Sequence, residues 1–341
     1  MKGVLIFIFY LVYNASGYSQ ITIEGYVTNE NKEALFGASV YVDGTTIGTV
    51  TDNKGYYILT LPSTINSVLV FSYFGYFSNY QNITKESNKI NSVLIEDIKE
   101  LKEVIVERSP FSRKQMLQLF KEQFLGINRA GSNCIILNED ELYFSYDNDK
   151  FIFKAYSDTP LIINNNYLSY KVNFQLVDFE CVFYKFSIKS SDIMSSLYAG
   201  TSFFSEINNK ATFLKRRRKS YEGSSLQFFR NLVTNTWGKD NFILFEGKFI
   251  TDPKEHFKVS LEKDNMYKIS ITRQQRELNK EGFIAAFSIL YDKKEQSKIS
   301  FFTDIFYIDS FGLFTDYEKI YFSGDITKRK IGDMLPSNYG L

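Results

Sequence analysis

The chain has 341 residues, enough for two domains or one large β domain. Its 40 basic and 39 acidic residues leave a formal charge of +1, which excludes a global field that would gather nucleic acid, so any electrostatic partner has to meet a local patch. Aromatic residues, 17% of the chain, are spread along its length rather than boxed in one segment, and such residues favour sheets, where paired rings bury much area.

Lys2 is followed by the apolar run 4–12, a charged start and a hydrophobic core of signal-peptide length. Gly17 and Ser19 are small enough for the −3 and −1 positions of a cleavage site, so residues 1–19 are expected to be an export leader and Gln20 the mature start. No cysteine follows the run, so lipidation is not expected there, and no other segment is apolar for long enough to span a bilayer as a helix.

From Gln20 apolar and polar residues alternate in short runs: 21–27, 37–43, 46–50 and 56–61. Gly25 marks a bulge or a close backbone approach within the first. Gly44 and Gly55 stand where the chain must reverse, and Asp52 is placed to accept backbone N–H groups in the turn before Gly55. The continuous apolar run 68–73 belongs in the centre of a sheet, Gly75 reverses the chain again, and 90–95 and 104–106 supply the last strands. Some seven strands within residues 20–107 predict a small β-sandwich.

The spaced residues Gly25-x-Val27, Gly37-Ala38-x-Val40, Gly44, Thr51-Asp52-x-x-Gly55-x-Tyr57 and Phe71-Ser72-x-x-Gly75-Tyr76 resemble the carboxypeptidase-regulatory-like (transthyretin-like) domain. Family members often carry a proline just before the Gly-Ala pair, where this chain has Leu35-Phe36. The resemblance implies a β-sandwich with no catalytic residues of its own. It also points to the Gram-negative envelope, because such domains precede the plug and barrel of many TonB-dependent outer-membrane receptors. Leu101, Glu103, Val104 and Val106 resemble the Leu-x-Glu-Val-x-Val segment that follows the domain in those receptors, at or near the stretch captured by TonB through strand addition. The plainer reading of 101–106 is a final strand or an extended linker.

Residues 108–341 read as a larger antiparallel β-rich domain with two or so helices. Ser109-Pro110 suits a helix N-cap and first turn, with Met116, Leu117, Phe120 and Phe124 at helical spacing and Gly126 as the stop. Leu168, Tyr170, Val172, Phe174 and Leu176 alternate with polar neighbours; at Val177 the phase shifts, and Phe179, Cys181 and Phe183 take the apolar parity. A one-residue slip exchanges the two faces of a strand, so a bulge or turn is required there. Ser224 or Ser225 caps a second helix with Leu226, Phe229 and Leu232 or Val233 on its buried stripe. Further strands are expected at 242–249, 257–261, 267–271, 283–291, 299–302 and 319–322, with a hairpin turn at 263–265. Alternation alone also fits an outer-membrane barrel, but helical interruptions and irregular spacing weigh against one.

The chain has one histidine, His256, so a catalytic zinc that commonly uses two or more has no second imidazole, and His256 reads as a strand-edge residue. No Gly-x-Ser-x-Gly elbow or Walker-type loop occurs, and Glu139-Asp140-Glu141 reads as a solvated turn. No cofactor or metal is expected. Cys134 and Cys181 lie in strand-like runs, where a disulfide and two buried thiols both remain open. The strongest local charge is Lys215-Arg216-Arg217-Arg218-Lys219, a candidate site for an anionic headgroup, an acidic glycan or an envelope protein, with a solvated loop as its alternative. Lys328-Arg329-Lys330 forms a second cluster that strengthens the site if the fold joins the two. Tyr221-x-Gly223-Ser224 with Phe228, and Asp333-Met334-Leu335-Pro336, bear a looser likeness to a C-terminal region found beside this domain in other envelope proteins. The expectation is an exported, periplasmic or outer-membrane-associated, non-catalytic binding or scaffold protein. Its alternatives are an accessory of TonB-dependent uptake and, below that, a barrel or an unrecognised enzyme.

Overall fold

Strand β1, Gln20–Asn29, pairs antiparallel with β4, Tyr56–Pro62, on one edge and parallel with β7, Ser92–Leu94, on the other. The computed structural model describes residues 20–62, 67–83, 88–97, 109–238, 241–262, 266–272 and 282–341. Against the first sheet lies a four-stranded sheet in the order β3-β2-β5-β6, made of Gly48–Val50, Ser39–Val42, Val68–Ser72 and Asn79–Asn82. The seven strands enclose a core that includes Ile23, Val27, Val40, Tyr57, Leu59 and Phe71, which is the expected sandwich. The strand β6, Asn79–Asn82, was not among the predicted strands, and 104–106 lies outside the described residues.

The turns follow the predicted chemistry. Asp52 Oδ1 accepts from the N–H groups of Lys54 (2.8 Å) and Tyr56 (2.9 Å), while Gly55 sits at φ +71°. Gly25 marks a close approach: a Cβ there would lie 1.9 Å from the carbonyl oxygen of Ile90.

The chain then enters α1, Arg113–Phe124, whose cap is Ser112 rather than Ser109. Ser112 and Gln115 form a reciprocal capping box that Ser109-Pro110 has no partner to build. Met116, Leu119, Phe120 and Phe124 face a six-stranded sheet in which β12, Tyr170–Phe183, is central. One edge of β12 carries β11, Leu161–Asn165, and β10, Ile152–Ser157, which lead out to β8, Cys134–Ile136, and β9, Leu142–Asp147. The other edge carries β13, Ile193–Glu206. The register of β12 on β13 slips between Leu176 and Asp178, and Val177 and Asp178 both face outward. This is the bulge that the phase shift requires, and it lets Leu176 and Phe179 both reach the core.

The last unit is an open five-stranded sheet, β15-β14-β18-β19-β21, facing a three-stranded one, β16-β17-β20. The strands of the first are Phe249–Ile250, Phe242–Glu246, Ala285–Tyr291, Glu295–Phe301 and Ile320–Gly324. Those of the second are Phe257–Leu261, Tyr267–Ile271 and Ile305–Ile308. Strands β16 and β17 pair antiparallel as a hairpin demands, although the turn at 263–265 lies outside the described residues. Between the sheets lie Phe228, Phe229 and Leu232 of α3, Ser225–Thr234, capped by Ser224. Helix α2, Ala211–Tyr221, precedes it, and a one-turn helix α4, Pro253–His256, leads into β16. None of the five sheets closes on itself among the described residues, so the strands form stacked layers rather than the single wall of a barrel.

The sandwich is fused to the rest of the chain by its own loop after β2. Gly44 N–H donates to Ser202 O (2.7 Å), Phe204 N–H donates to Thr45 O (3.0 Å), and Ser337 N–H donates to Gly44 O (2.6 Å). Ser202 N–H donates to the Asp43 carboxylate at 2.8 Å. Phe311, from the loop after β20, packs into the sandwich core itself. Replacing Phe311 by Ala is expected to cost about 3–5 kcal/mol of stability in urea titrations. Hydrogen exchange should show the amides of Ser202 and Phe204 losing protection together, because the plug and the loop hold one junction.

Candidate functional site

The basic run 215–219 is neither a loop nor a continuous patch. It winds through α2, where 3.6 residues per turn send neighbouring side chains to different faces. Arg217 is 1% exposed and points into the protein. Its Nε donates to Leu168 O (2.8 Å), and its two terminal nitrogens donate to Ser169 O (3.1 Å), Asn208 O (2.8 Å) and Glu206 Oε2 (2.7 Å). The guanidinium also lies over the Tyr170 ring, 3.9 Å from its centroid. Arg216 stacks between Tyr167 and Phe213 and donates to Tyr167 O. Arg218 pairs with Glu222 at 2.9 Å. Exposed Lys215 and Lys219 complete the run on the outer side of the helix.

The fold does bring the second cluster alongside, but acids interpose. Arg329 donates to Glu222 O (2.6 Å) and pairs with Glu295 (2.8 Å), and Lys328 pairs with Asp325 at 2.6 Å. Asp333 accepts from Ser220 Oγ (2.6 Å) and Asn128 Nδ2 (2.6 Å), which ties the C-terminal tail to α2 and to the turn after α1. Gly223 fits between Arg329 and Glu295, where a Cβ would meet each at 2.8 Å. The motif around Tyr221 and the segment at Asp333 are thus one structural knot. An anionic ligand would find the surface lysines Lys215 and Lys219 here, with Arg216, Arg217, Arg218, Lys328 and Arg329 already engaged within the chain.

Arg230 of α3 was not singled out by the sequence, yet it gathers the tail in the same manner. It donates to Phe311 O (2.9 Å), Ser337 O (2.6 Å) and Tyr339 O (2.8 Å). Asp309 supports the same loop by accepting from the N–H groups of Phe311 (2.9 Å) and Leu313 (2.8 Å). Burial pushes the Asp309 carboxyl up to about 6, and burial does the same for Asp43.

His256 is buried at the end of α4 rather than standing at a strand edge; its Nε2 lies 2.7 Å from Thr251 Oγ1, and its ring packs on Phe287. Glu139, Asp140 and Glu141 form the expected turn, and Glu139 is ion-paired to Lys121 of α1. Among the described residues no three His, Cys, Asp or Glu side chains gather as a metal-holding group. Cys134 and Cys181 are free thiols, each pushed up to about 12 by burial. Leu101, Glu103, Val104 and Val106 lie outside the described residues. A shallow groove of about 420 Å³ runs over the outer face of the five-stranded sheet, lined by Phe245, Ser288, Leu290, Gln296, Lys298 and Ser323. It offers contact area without an arrangement for bond-making chemistry.

Residues 23–106 match the CarboxypepD_reg-like domain family, and the described part of that stretch is the sandwich. No curated protein matches the chain. Among solved structures the chain is similar to a type II cohesin–X-dockerin complex of Acetivibrio cellulolyticus carrying an N-terminal interface mutation, at 19% identity, over 22% of this chain and 58% of that chain, with a TM-score of 0.20. The C-terminal interface mutant of the same complex is similar at 18% identity, over 21% and 52%, with a TM-score of 0.18. The chain thus spans little more than half the length of either structure it matches.

Two outcomes are expected. Arg217→Lys keeps a charge but loses the fork, and should cost about 2–4 kcal/mol, whereas the pair Lys215→Gln and Lys219→Gln should stay within about 0.5 kcal/mol, both read from urea midpoints. For Asp43 and Asp309, a folded-state value raised above the ordinary 3.8 means that the native state holds protons the unfolded chain has released. Their contribution is therefore most favourable below about pH 4 and is lost as pH rises through about 6. The double substitution Asp43→Asn, Asp309→Asn should match the parent near pH 4 and exceed it near pH 7.5 by roughly 1–3 kcal/mol.

Proposed function

We propose that the protein is an exported, non-catalytic binding and scaffold component of the cell envelope, periplasmic or associated with the outer membrane. The observation that carries this reading is the way the CarboxypepD_reg-like sandwich is built into the larger β unit. Its loop at 43–46 and the Phe311 plug make it one surface with β13 and the C-terminal tail. A domain held so rigidly presents its surfaces in a fixed relation to each other, which suits simultaneous contact with partners. Buried Arg217 and Asp309 and half-buried Arg230 and Asp43 support the same reading: all four are engaged by backbone groups of this chain and hold loops in place. The role of the leader and the envelope address rest on the N-terminal pattern around Lys2 and residues 4–12.

The test is fractionation of cells producing the full chain, followed by crosslinking and affinity recovery from envelope extracts. The expected result is a mature form beginning at Gln20 in the envelope fraction, co-purifying with envelope proteins or glycan. Recovery of the uncleaved chain in the cytoplasm would overturn the proposal.

A further inference from the structure

β13 has fourteen residues, whereas β3, β6, β8 and β15 at other sheet edges have four or fewer. One edge of β13 is taken by β12 along its whole length. On the other, Ser202 O accepts from Gly44, Phe204 N–H donates to Thr45, and Ser202 N–H donates to the Asp43 carboxylate. The backbone groups of Ser202 and Phe204 therefore point away from β12. Peptide groups alternate along a strand, so those of Ser196, Tyr198 and Gly200 point the same way. Among the described residues no backbone hydrogen bond or bridge from the sandwich reaches Ser196, Tyr198 or Gly200; those it makes are at Ser202, Phe203 and Phe204. Edges of this kind are usually blunted by charge or proline. The run Met194-Ser195-Ser196-Leu197-Tyr198-Ala199-Gly200 has neither, and Met194 and Leu197 are 68% and 37% exposed.

A second observation indicates what fits there. Tyr198 stands opposite Phe179, and Ser196 opposite Cys181, so both side chains project on the α1 face of the sheet. On that face the Lys330 ammonium lies 5.7 Å from the Tyr198 ring centroid and has no carboxylate partner among the described residues. A residue paired with Tyr198 on an added strand would project toward this cation. The two residues flanking it would lie with Leu197 and Ala199 on the other face. The sandwich loop at Asp43–Thr45 occupies the edge at Ser202 to Phe204, so an added strand would end there.

We propose that the outer edge of β13, from Ser196 to Gly200, binds an extended partner peptide with an acidic residue between two apolar ones, the carboxylate pairing with Lys330. The sandwich already shows the mode within the chain: the Asp43 carboxylate and the Gly44–Thr45 backbone occupy the next positions of the same edge, with Thr45 in a parallel bridge to Phe203. This names the partner class for the binding role proposed above and rests on that reading.

The experiment uses the full mature chain and a fluorescent heptapeptide, Ser-Thr-Val-Glu-Val-Thr-Ser, titrated to about 1 mM by anisotropy. The expected result is saturable binding, with slowed hydrogen exchange at Ser196, Tyr198 and Gly200. Ser196→Pro removes an outward donor without touching the β12 ladder, and Leu197→Lys places a charge on the edge; each is expected to weaken binding about tenfold or more. Both variants are first checked for the parent's circular dichroism and melting profile, and Leu197→Lys serves alone if the proline disturbs folding. Lys330→Gln, and separately a Glu→Lys peptide, should each lose about three- to tenfold. No binding by the parent, or parent-like binding by folded Leu197→Lys, overturns the edge site. Parent-like binding by Lys330→Gln overturns the acidic occupant. If Leu197→Lys still recovers the same envelope partner as the parent, the edge assignment fails while the binding role stands; if neither recovers any partner, both fail.

Discussion

A guanidinium taken out of water has five N–H donors and a charge to satisfy, and the cost of leaving them unmet is several kcal/mol. Arg217 meets that demand with the carbonyls of Leu168, Ser169 and Asn208 and the carboxylate of Glu206. These acceptors belong to the entry of β12, the exit of β13 and the link to α2, so one side chain fixes the ends of the two longest strands against a helix. Ser169 takes a left-handed conformation, φ +60°, that a non-glycine residue adopts at some cost, and its carbonyl faces Arg217. With the start of β12 and the end of β13 held, Ser202 and Phe204 of β13 meet the sandwich loop. Arg230 repeats the device for the tail, turning three carbonyls into one anchored strap.

How far the sequence foretold this depends on whether a residue's role is local. Gly25, Gly55 and Asp52 act through their own turn or the strand beside it, and the structure finds each where the spacing placed it. The phase shift at Val177 was legible for a related reason: burial on one face imposes parity, and parity can be counted. The run 215–219 misled because adjacency along the chain is not adjacency on a helix. Nothing in the letters Arg216-Arg217-Arg218 says that the middle one is the buried one. The α1 cap slipped from Ser109 to Ser112 because Gln115 decides it by reaching back to its backbone.

β13 left no sequence signal for the opposite reason. A strand covered on both faces reads as a hydrophobic run and one covered on a single face alternates, but an edge strand half-covered on each does neither. The segment Met194–Gly200 mixes serine, glycine, leucine and tyrosine without a period, and only the described pairing with β12 identifies it as a strand. β6, Asn79–Asn82, at the edge of the sandwich, was hidden in the same way. Edges are thus both the least legible elements of this chain and the places where backbone groups remain available to another strand.

That coincidence follows from the charge balance. With 40 basic and 39 acidic residues, many of the charges that could have formed a patch are instead spent locally: Arg218 on Glu222, Arg329 on Glu295, Lys328 on Asp325. Opposed charges in close pairs cancel within a Debye length, so such groups neither steer a distant partner nor hold one. Recognition on such a surface has to be short-ranged and directional. A row of unpaired N–H and C=O groups meets that requirement, since it asks for an extended chain in one register and is indifferent to net charge. On the proposed reading, Lys330, which has no carboxylate partner among the described residues and lies over the Tyr198 ring, would choose among extended chains.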